Sequence, residues 1–124
     1  MGDLLLTARA LVLRDLEATG AADALAVSAL EEAVSQRQWW VDQWAAGAEF
    51  VAGLVAQDLQ DALFDRRGRW PLCPVCDGDL PQHSLSIDPD IGGPDPHWVC
   101  EESSRVVAPL GGLADLSGRD GAVS

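Results

Sequence analysis

The chain has 124 residues, a length that suits one compact domain or a helical body with a small appended module. Apolar residues make up 48% and charged residues 23%, which argues against disorder along most of the chain. The formal net charge of -12 would repel phosphate backbones, so it disfavours generic nucleic-acid binding.

The N-terminus lacks the pattern of a secretory signal, because Asp3 precedes its apolar run and two arginines lie inside that run. We therefore expect a cytoplasmic protein. The most apolar later stretch, residues 39–56, is interrupted by Asp42 and Glu49. It falls short of a membrane span, so no membrane association is expected.

Two amphipathic helices are predicted in the first third of the chain. The first covers residues 4–18, with Asp3 as its N-cap and Gly20 as its stop. The second begins after Asp23, another residue suited to the N-cap position. Whether this helix continues without a break into the next apolar pattern is left open by the sequence.

A third helical pattern starts at Trp40 and is predicted to end near residue 67. Arg66 and Arg67 complement the negative end of the helix dipole, and Gly68 can adopt the left-handed conformation that ends a helix. The apolar stripe predicted to face the core consists of Trp40, Trp44, Ala48, Val51, Val55, Leu59 and Ala62.

The amino-acid composition changes at Trp70, where a segment rich in proline and glycine follows the helical pattern. Two short strands are predicted over residues 97–100 and 105–108, and residues 84–87 offer a third. The fold class expected is α+β: a two- or three-helix body over residues 3–67 and a zinc-ribbon-like module over residues 69–112. A flexible tail over residues 113–124 completes the predicted organisation.

The cysteines predict a metal site. Cys73 and Cys76 form a C-x2-C turn that lets two thiolates approach one ion, and Cys100 is the third thiol. The predicted module also has too few large apolar residues to hold about 40 residues together without a metal or a disulfide. A structural zinc ion fits a cytoplasmic chain better than a disulfide.

The fourth ligand is predicted to be His83, with His97 as the alternative. On an extended strand side chains alternate, so His97 and Cys100 would point to opposite faces unless a tight turn lies between them. His83 carries no such conflict. If neither histidine is required, Asp77 or Asp79 is the next candidate.

Four short motifs resemble a group of short, uncharacterised actinobacterial proteins that have helices followed by a ribbon-like Cys/His module. The resemblance covers residues 60–113, and in that group a His-x-Leu element follows the first knuckle, which favours His83 by carry-over. The resemblance implies no activity. The motifs are Trp70-Pro-Leu-Cys73-Pro-Val-Cys76, His83-Ser-Leu85, Trp98-Val-Cys100 and Val106-Val-Ala108-Pro-Leu-Gly111.

The sequence motifs give less support to an enzymatic function. The Cys-Pro-x-Cys sequence also resembles a glutaredoxin-like redox site, but no helix or strand-helix-strand unit surrounds it. A zinc enzyme would need a placed carboxylate, and no motif supplies one. The leading prediction is a non-enzymatic adaptor or protein-interaction module, and thiol redox or zinc-dependent catalysis is an alternative.

Two surfaces are candidates for partner binding. Trp39 points about 100 degrees from Trp40 on a helix and can face a protein partner. Arg66, Arg67 and Arg69 form the only basic cluster, which makes nucleic-acid-associated regulation the first alternative, ahead of enzymatic activity. The sequence leaves a homo-oligomer open and does not identify the partner.

Overall fold

Three α-helices are followed by a three-stranded antiparallel sheet in the computed structural model, which describes residues 2–73, 83–88 and 95–114. The predicted α+β fold class is therefore confirmed. No helix in this part of the chain has the length and apolarity needed to cross a membrane.

Helix α1 spans Gly2–Ala18 and turns one apolar stripe toward the core. The stripe consists of Leu5, Ala8, Val12 and Leu16, all buried. The predicted N-cap at Asp3 is wrong, because the helix begins at Gly2 and Asp3 lies within its first turn. Helix ends fray, so sequence patterns place them only to within a residue or two. The predicted stop at Gly20 is confirmed by its φ of 71°.

Helix α2 spans Ala24–Gln43 and begins where the sequence predicted. The side chain of Asp23 accepts a hydrogen bond from the backbone N–H of Ala26 at 2.9 Å, so it satisfies one of the free donors in the first turn. Its buried residues include Leu30 and Val41.

The predicted continuous stripe from Trp40 onward is wrong, because the helix breaks at Trp44. This residue has φ −145° and ψ 88°, and a short 3-10 helix over Ala45–Phe50 follows before α3 begins at Val51. A Cβ atom at Gly47 would lie 2.6 to 2.8 Å from ring atoms of Trp40 and Trp44. Glycine at this position therefore allows both indoles to close over the turn.

Helix α3 spans Val51–Arg67 and packs against α1 and α2. It buries Val55, Leu59 and Leu63, in keeping with the predicted phase of this part of the stripe. Gly68 ends the helix, as predicted, with a positive φ of 96°. Its ψ of −157° differs from that of the predicted left-handed helical conformation. Its N–H donates to the carbonyl oxygen of Leu63 at 3.1 Å.

The sheet has the order β1-β2-β3, with β1 at Ser86–Asp88, β2 at His97–Cys100 and β3 at Arg105–Pro109. Its strands confirm the predicted segments to within two residues. Side chains of β2 alternate, with Trp98 and Cys100 buried and the other two half-buried. A register irregularity lies between Trp98 and Val99 on the β2–β3 side.

One hydrophobic core joins the helices to the sheet. Leu85, Ile87 and Trp98 from the inner face of the sheet belong to the same buried cluster as the helical side chains. Leu113, where the predicted flexible tail begins, is also buried in this cluster. The sheet therefore packs directly on the helices.

Candidate metal centre

A short backbone pairing brings Cys73 beside His83. The N–H of Cys73 donates to the carbonyl oxygen of His83 at 2.9 Å, and the N–H of Leu85 donates to the carbonyl oxygen of Pro71 at 2.8 Å. Leu72 and Ser84 are the directly opposed residues between these two bonds. Residues 71–73 and 83–85 therefore run antiparallel as neighbours.

The register of the sheet brings Cys100 to the same place. Ser86 pairs with Val99, so one step further along the strands Leu85 lies opposite Cys100. His83 is two residues before Leu85 and therefore shares the inner face of the sheet. Diagonal neighbours of this kind are within reach of long side chains. Nε2 of His83 lies 3.5 Å from Sγ of Cys100.

Cys73, His83 and Cys100 form one compact triad, hereafter the Cys-His-Cys triad. Their ligand atoms all lie within 4.8 Å of one another. Cys100 is fully buried, whereas Cys73 and His83 are half-buried. Within residues 2–73, 83–88 and 95–114, it is the only group of three or more Cys, His, Asp or Glu side chains close enough to share a metal ion.

The triad fits a tetrahedral zinc site by both chemistry and distance. Thiolates and imidazoles are the ligands that zinc prefers in structural sites. With Zn–S bonds of about 2.3 Å and Zn–N bonds of about 2.0–2.1 Å, tetrahedral geometry separates S and N by about 3.5–3.6 Å. The observed separation of 3.5 Å between the Cys100 sulfur and the His83 nitrogen matches this value.

Cys76, the predicted ligand that is not in the triad, lies outside the described residues, as do Asp77 and Asp79. Cys76 follows Cys73 by three residues in the sequence. This spacing is typical of two thiolates that share one zinc ion. Cys76 therefore stays a predicted ligand.

The structure does not bring His97 to the triad. His97 is at the opposite end of β2 from Cys100, where it pairs with Asp88 and Pro109. Its Nδ1 atom lies 2.7 Å from the backbone oxygen of Asp95. Strand β2 is extended and its side chains alternate, so His97 and Cys100 point to opposite faces.

Polar contacts from the helices hold the segments that carry the triad. The Nε2 amide of Gln60 on α3 donates to the carbonyl oxygens of Trp70 at 3.1 Å and Leu85 at 2.7 Å. The indole of Trp70 donates to Oγ1 of Thr19 at 2.9 Å and meets the Trp98 ring edge to face. These contacts fix residues 70 and 85, which flank Cys73 and His83.

A buried carboxylate anchors the other side of the sheet. Asp15 on α1 is fully buried and accepts hydrogen bonds from the Trp98 indole at 2.7 Å, the Gly111 N–H at 2.7 Å and the Leu113 N–H at 3.0 Å. Burial raises the pKa of this carboxyl above its ordinary value, although the three donors and Arg14 act in the opposite direction. Trp98 is two residues before Cys100, so Asp15 helps to place the β2 end of the triad.

A family model described as a domain of unknown function (DUF8819) matches residues 1–110. The chain belongs to the DUF8819 family. The matched span includes the three helices, the sheet and the whole Cys-His-Cys triad. No curated protein and no solved structure matches the chain.

The predicted partner-binding residues of this DUF8819 member fall in two places: Trp39 lies on α2, whereas Arg66, Arg67 and Arg69 lie within seven residues of Cys73. Trp39 is 67% exposed, so its side chain is accessible as expected. Trp44 is 50% exposed and Trp40 is half-buried, so the predicted placement of Trp44 in the core is wrong. The break after Gln43 takes Trp44 out of the helical stripe. Arg66 and Arg69 are exposed. Arg67 is the last residue of α3, and its side chain is not among those that the structure describes.

Sequence reasoning missed Asp15. The helical spacing could have indicated that Asp15 is buried. Asp15 lies three residues after Val12 and four after Leu11, on the apolar side of α1. A carboxylate in such a position is buried only when donors reach it. The donors come from residues about 80 to 100 positions later, so their identity could not be read from the local pattern.

Proposed function

We propose that this protein binds one structural zinc ion through Cys73, Cys76, His83 and Cys100 and acts as a non-enzymatic adaptor or protein-interaction module. The observation that carries the proposal is the convergence of two sulfurs and one imidazole nitrogen within 4.8 Å. These atoms come from three chain segments, so one ion would tie all three together.

A structural role is supported by the surroundings of the triad. A hydrolytic zinc site needs an open position and a carboxylate that acts as a general base. No carboxylate in the described part of the chain joins the triad. The side chain of Glu101, one residue after Cys100, accepts a hydrogen bond from Ser86 at 2.7 Å. These observations favour a closed site over a catalytic one.

The ligand atoms of the triad favour zinc, and thiol ligands favour a reducing compartment. Two thiolates with an imidazole suit zinc better than calcium or magnesium, which prefer oxygen ligands. In a reducing compartment thiols persist as metal ligands, whereas an oxidising one favours disulfides. We therefore place the protein in the cytoplasm.

Exposed indoles support a role in protein interaction. Trp39 and Trp44 expose 67% and 50% of their surface in the single chain. Tryptophan is enriched among the residues that dominate the binding energy of protein interfaces. These two exposed indoles therefore make the end of α2 the candidate contact surface.

The experiment combines metal analysis with partner capture. We expect about one zinc ion per purified chain, loss of zinc in Cys100→Ser, and recovery of a protein partner from native lysate. Trp39→Ala should weaken that recovery. Leu6→Ala is a matched control, because Leu6 is 63% exposed on α1. A zinc-free wild-type chain would contradict the metal assignment, and recovery unaffected by Trp39→Ala would contradict the contact surface.

A further inference from the structure

A pocket lies where α1, the junction of the 3-10 helix with α3, and one end of the sheet meet. It has a volume of about 430 Å³, within the range of roughly 300–1,000 Å³ found for ligand pockets. It is separate from the triad, because it adjoins the His97 end of β2, whereas Cys100 is at the other end. The side chains that define it, hereafter the α1–sheet pocket, are Leu4, Leu11, Glu49, Asp95, His97 and Leu110.

Most of the lining of the α1–sheet pocket is apolar, and its walls are tied to one another. Leu4 and Leu11 lie two turns apart on α1. The segment after β3 lies so close to this helix that a Cβ atom at Gly111 would be 2.5 Å from Cδ2 of Leu11. The N–H of Leu110 donates to the carbonyl oxygen of Pro96 at 3.0 Å, which joins the two segments on the sheet side. Walls that are already ordered lower the entropic cost of binding a ligand.

The imidazole of His97, which lines the pocket, has an unused hydrogen-bond acceptor. Its Nδ1 atom lies 2.7 Å from the backbone oxygen of Asp95, a residue in the left-handed conformation with φ 58°. A carbonyl oxygen only accepts hydrogen bonds, so Nδ1 carries the proton and, in the neutral ring, Nε2 has the lone pair. Within the described part of the chain, Nε2 has no hydrogen-bond partner.

Two carboxylates, those of Glu49 and Asp95, also line the pocket, and both residues are exposed. Neither forms an ion pair with an arginine in the part of the chain that the structure describes. None of the ten described residues that line the pocket is an arginine. The carboxylates and the neutral imidazole therefore present acceptors with no competing cation. The net charge of -12 adds a long-range attraction for cations.

We propose that the α1–sheet pocket binds a small organic ammonium ion with an apolar body. An ammonium group has three N–H donors and no acceptor, so it complements two carboxylates and an imidazole lone pair. Its alkyl chain is suited to the apolar surface that Leu4, Leu11 and Leu110 form. This binding site goes beyond the proposed function, because it shares no residue with the triad and its ligand does not involve zinc.

The test uses the whole 124-residue chain and three six-carbon probes, which are hexylamine, hexanol and hexanoate. At about pH 8 an ordinary histidine is neutral and a primary amine is still protonated. By NMR titration at low salt, we expect hexylamine to bind at least about fivefold more tightly than either other probe, because the carboxylates attract only the ammonium. The methyl signals of Leu11 and Leu110 should shift. Those of Leu59 and Leu63, which are buried on α3, are internal controls.

Two variants that each remove one charge locate the ammonium group. Glu49→Gln and Asp95→Asn should each weaken hexylamine binding about two- to fivefold and leave hexanol binding unchanged. Asparagine tolerates a positive φ as aspartate does, so the turn at residue 95 is retained. Glu17→Gln is the matched control. It removes the same charge from an exposed position on α1 outside the pocket, and it should leave hexylamine binding unchanged.

Four outcomes would overturn the assignment. Equal binding of hexylamine and hexanol would show that the polar groups do not select the ligand. An equal loss of binding in Glu17→Gln would indicate general attraction to an acidic chain. Shifts at the two control leucines as large as those at the pocket leucines would place the amine elsewhere. Absence of saturable hexylamine binding up to about 10 mM would show that the pocket takes no ligand of this class.

Discussion

The indole N–H of Trp98 donates a hydrogen bond of 2.7 Å to the buried carboxylate of Asp15, across 83 residues of sequence. The same carboxylate accepts from Gly111 and Leu113, so α1 is joined to both β2 and the segment after β3. No buried side-chain nitrogen or oxygen in the described part of the chain lacks a hydrogen-bond partner. Asp15 is thus the polar link between the helices and the sheet that carries Cys100.

Replacement of Asp15 by Asn should destabilise the fold by about 1–3 kcal/mol. Asparagine has one acceptor oxygen, and its NH2 group would face at least one of the three N–H donors, which would remain buried and unsatisfied. The free energy of unfolding from urea titration, followed by tryptophan fluorescence, measures this effect. Glu17→Gln is a matched control on the same helix, because Glu17 is exposed. Equal stability of Asp15→Asn and wild type would contradict the role of Asp15.

The pH dependence of this effect has a definite sign. Burial raises the pKa of Asp15 in the folded state above its ordinary value of 3.8. At pH values between the ordinary pKa and the raised pKa of the folded state, the folded state binds more protons than the unfolded state. The contribution of Asp15 to the free energy of unfolding therefore falls as pH rises through this range. The difference in unfolding free energy between wild type and Asp15→Asn should therefore increase as pH is lowered toward 3.8. A difference that shrinks on acidification would show that the folded-state pKa is lowered instead.

Introduction of a methyl group at Gly47 should disturb the packing of Trp40 and Trp44. The added Cβ of Gly47→Ala would lie 2.6 to 2.8 Å from ring atoms of Trp40 and Trp44, so the rings must move. Overpacking of this kind costs typically about 1–3 kcal/mol. A shift in tryptophan emission together with a lower melting temperature checks the expectation. Ala46→Gly changes the same 3-10 helix without crowding it and should leave the emission unchanged. An unaltered emission spectrum in Gly47→Ala would argue against the close ring contact.

Much of the fold follows from local patterns in the sequence. Asp23 and Gly68 mark helix ends because capping and positive φ are local requirements. Alternation along β2 separates His97 from Cys100 for the same reason, and the structure indeed places His83 beside Cys100. Tertiary contacts decide the rest. The break at Trp44 depends on how two indoles pack over Gly47, and the burial of Asp15 depends on distant donors.

The two histidines provide a further test of the metal site. His83→Ala should weaken zinc retention strongly, because water would replace imidazole at one ligand position. His97→Ala should change it little, since its Nδ1 contacts the backbone of Asp95 instead. Competition with a chromophoric chelator measures both variants. Loss of zinc from His97→Ala alone would reverse the assignment, and equal retention by both would direct the search to Asp77 or Asp79.

The most direct test of the zinc assignment is elemental analysis of the purified chain combined with amide NMR spectra before and after chelation. We expect about one zinc ion per chain. We also expect chelation to broaden or shift the amide signals of residues 71–73, 83–88 and 97–100, because an ion bound to the triad would tie these segments together. Signals from α2, which contributes no ligand, should change least. A metal-free chain with the same amide spectrum before and after chelation would contradict zinc binding at this site.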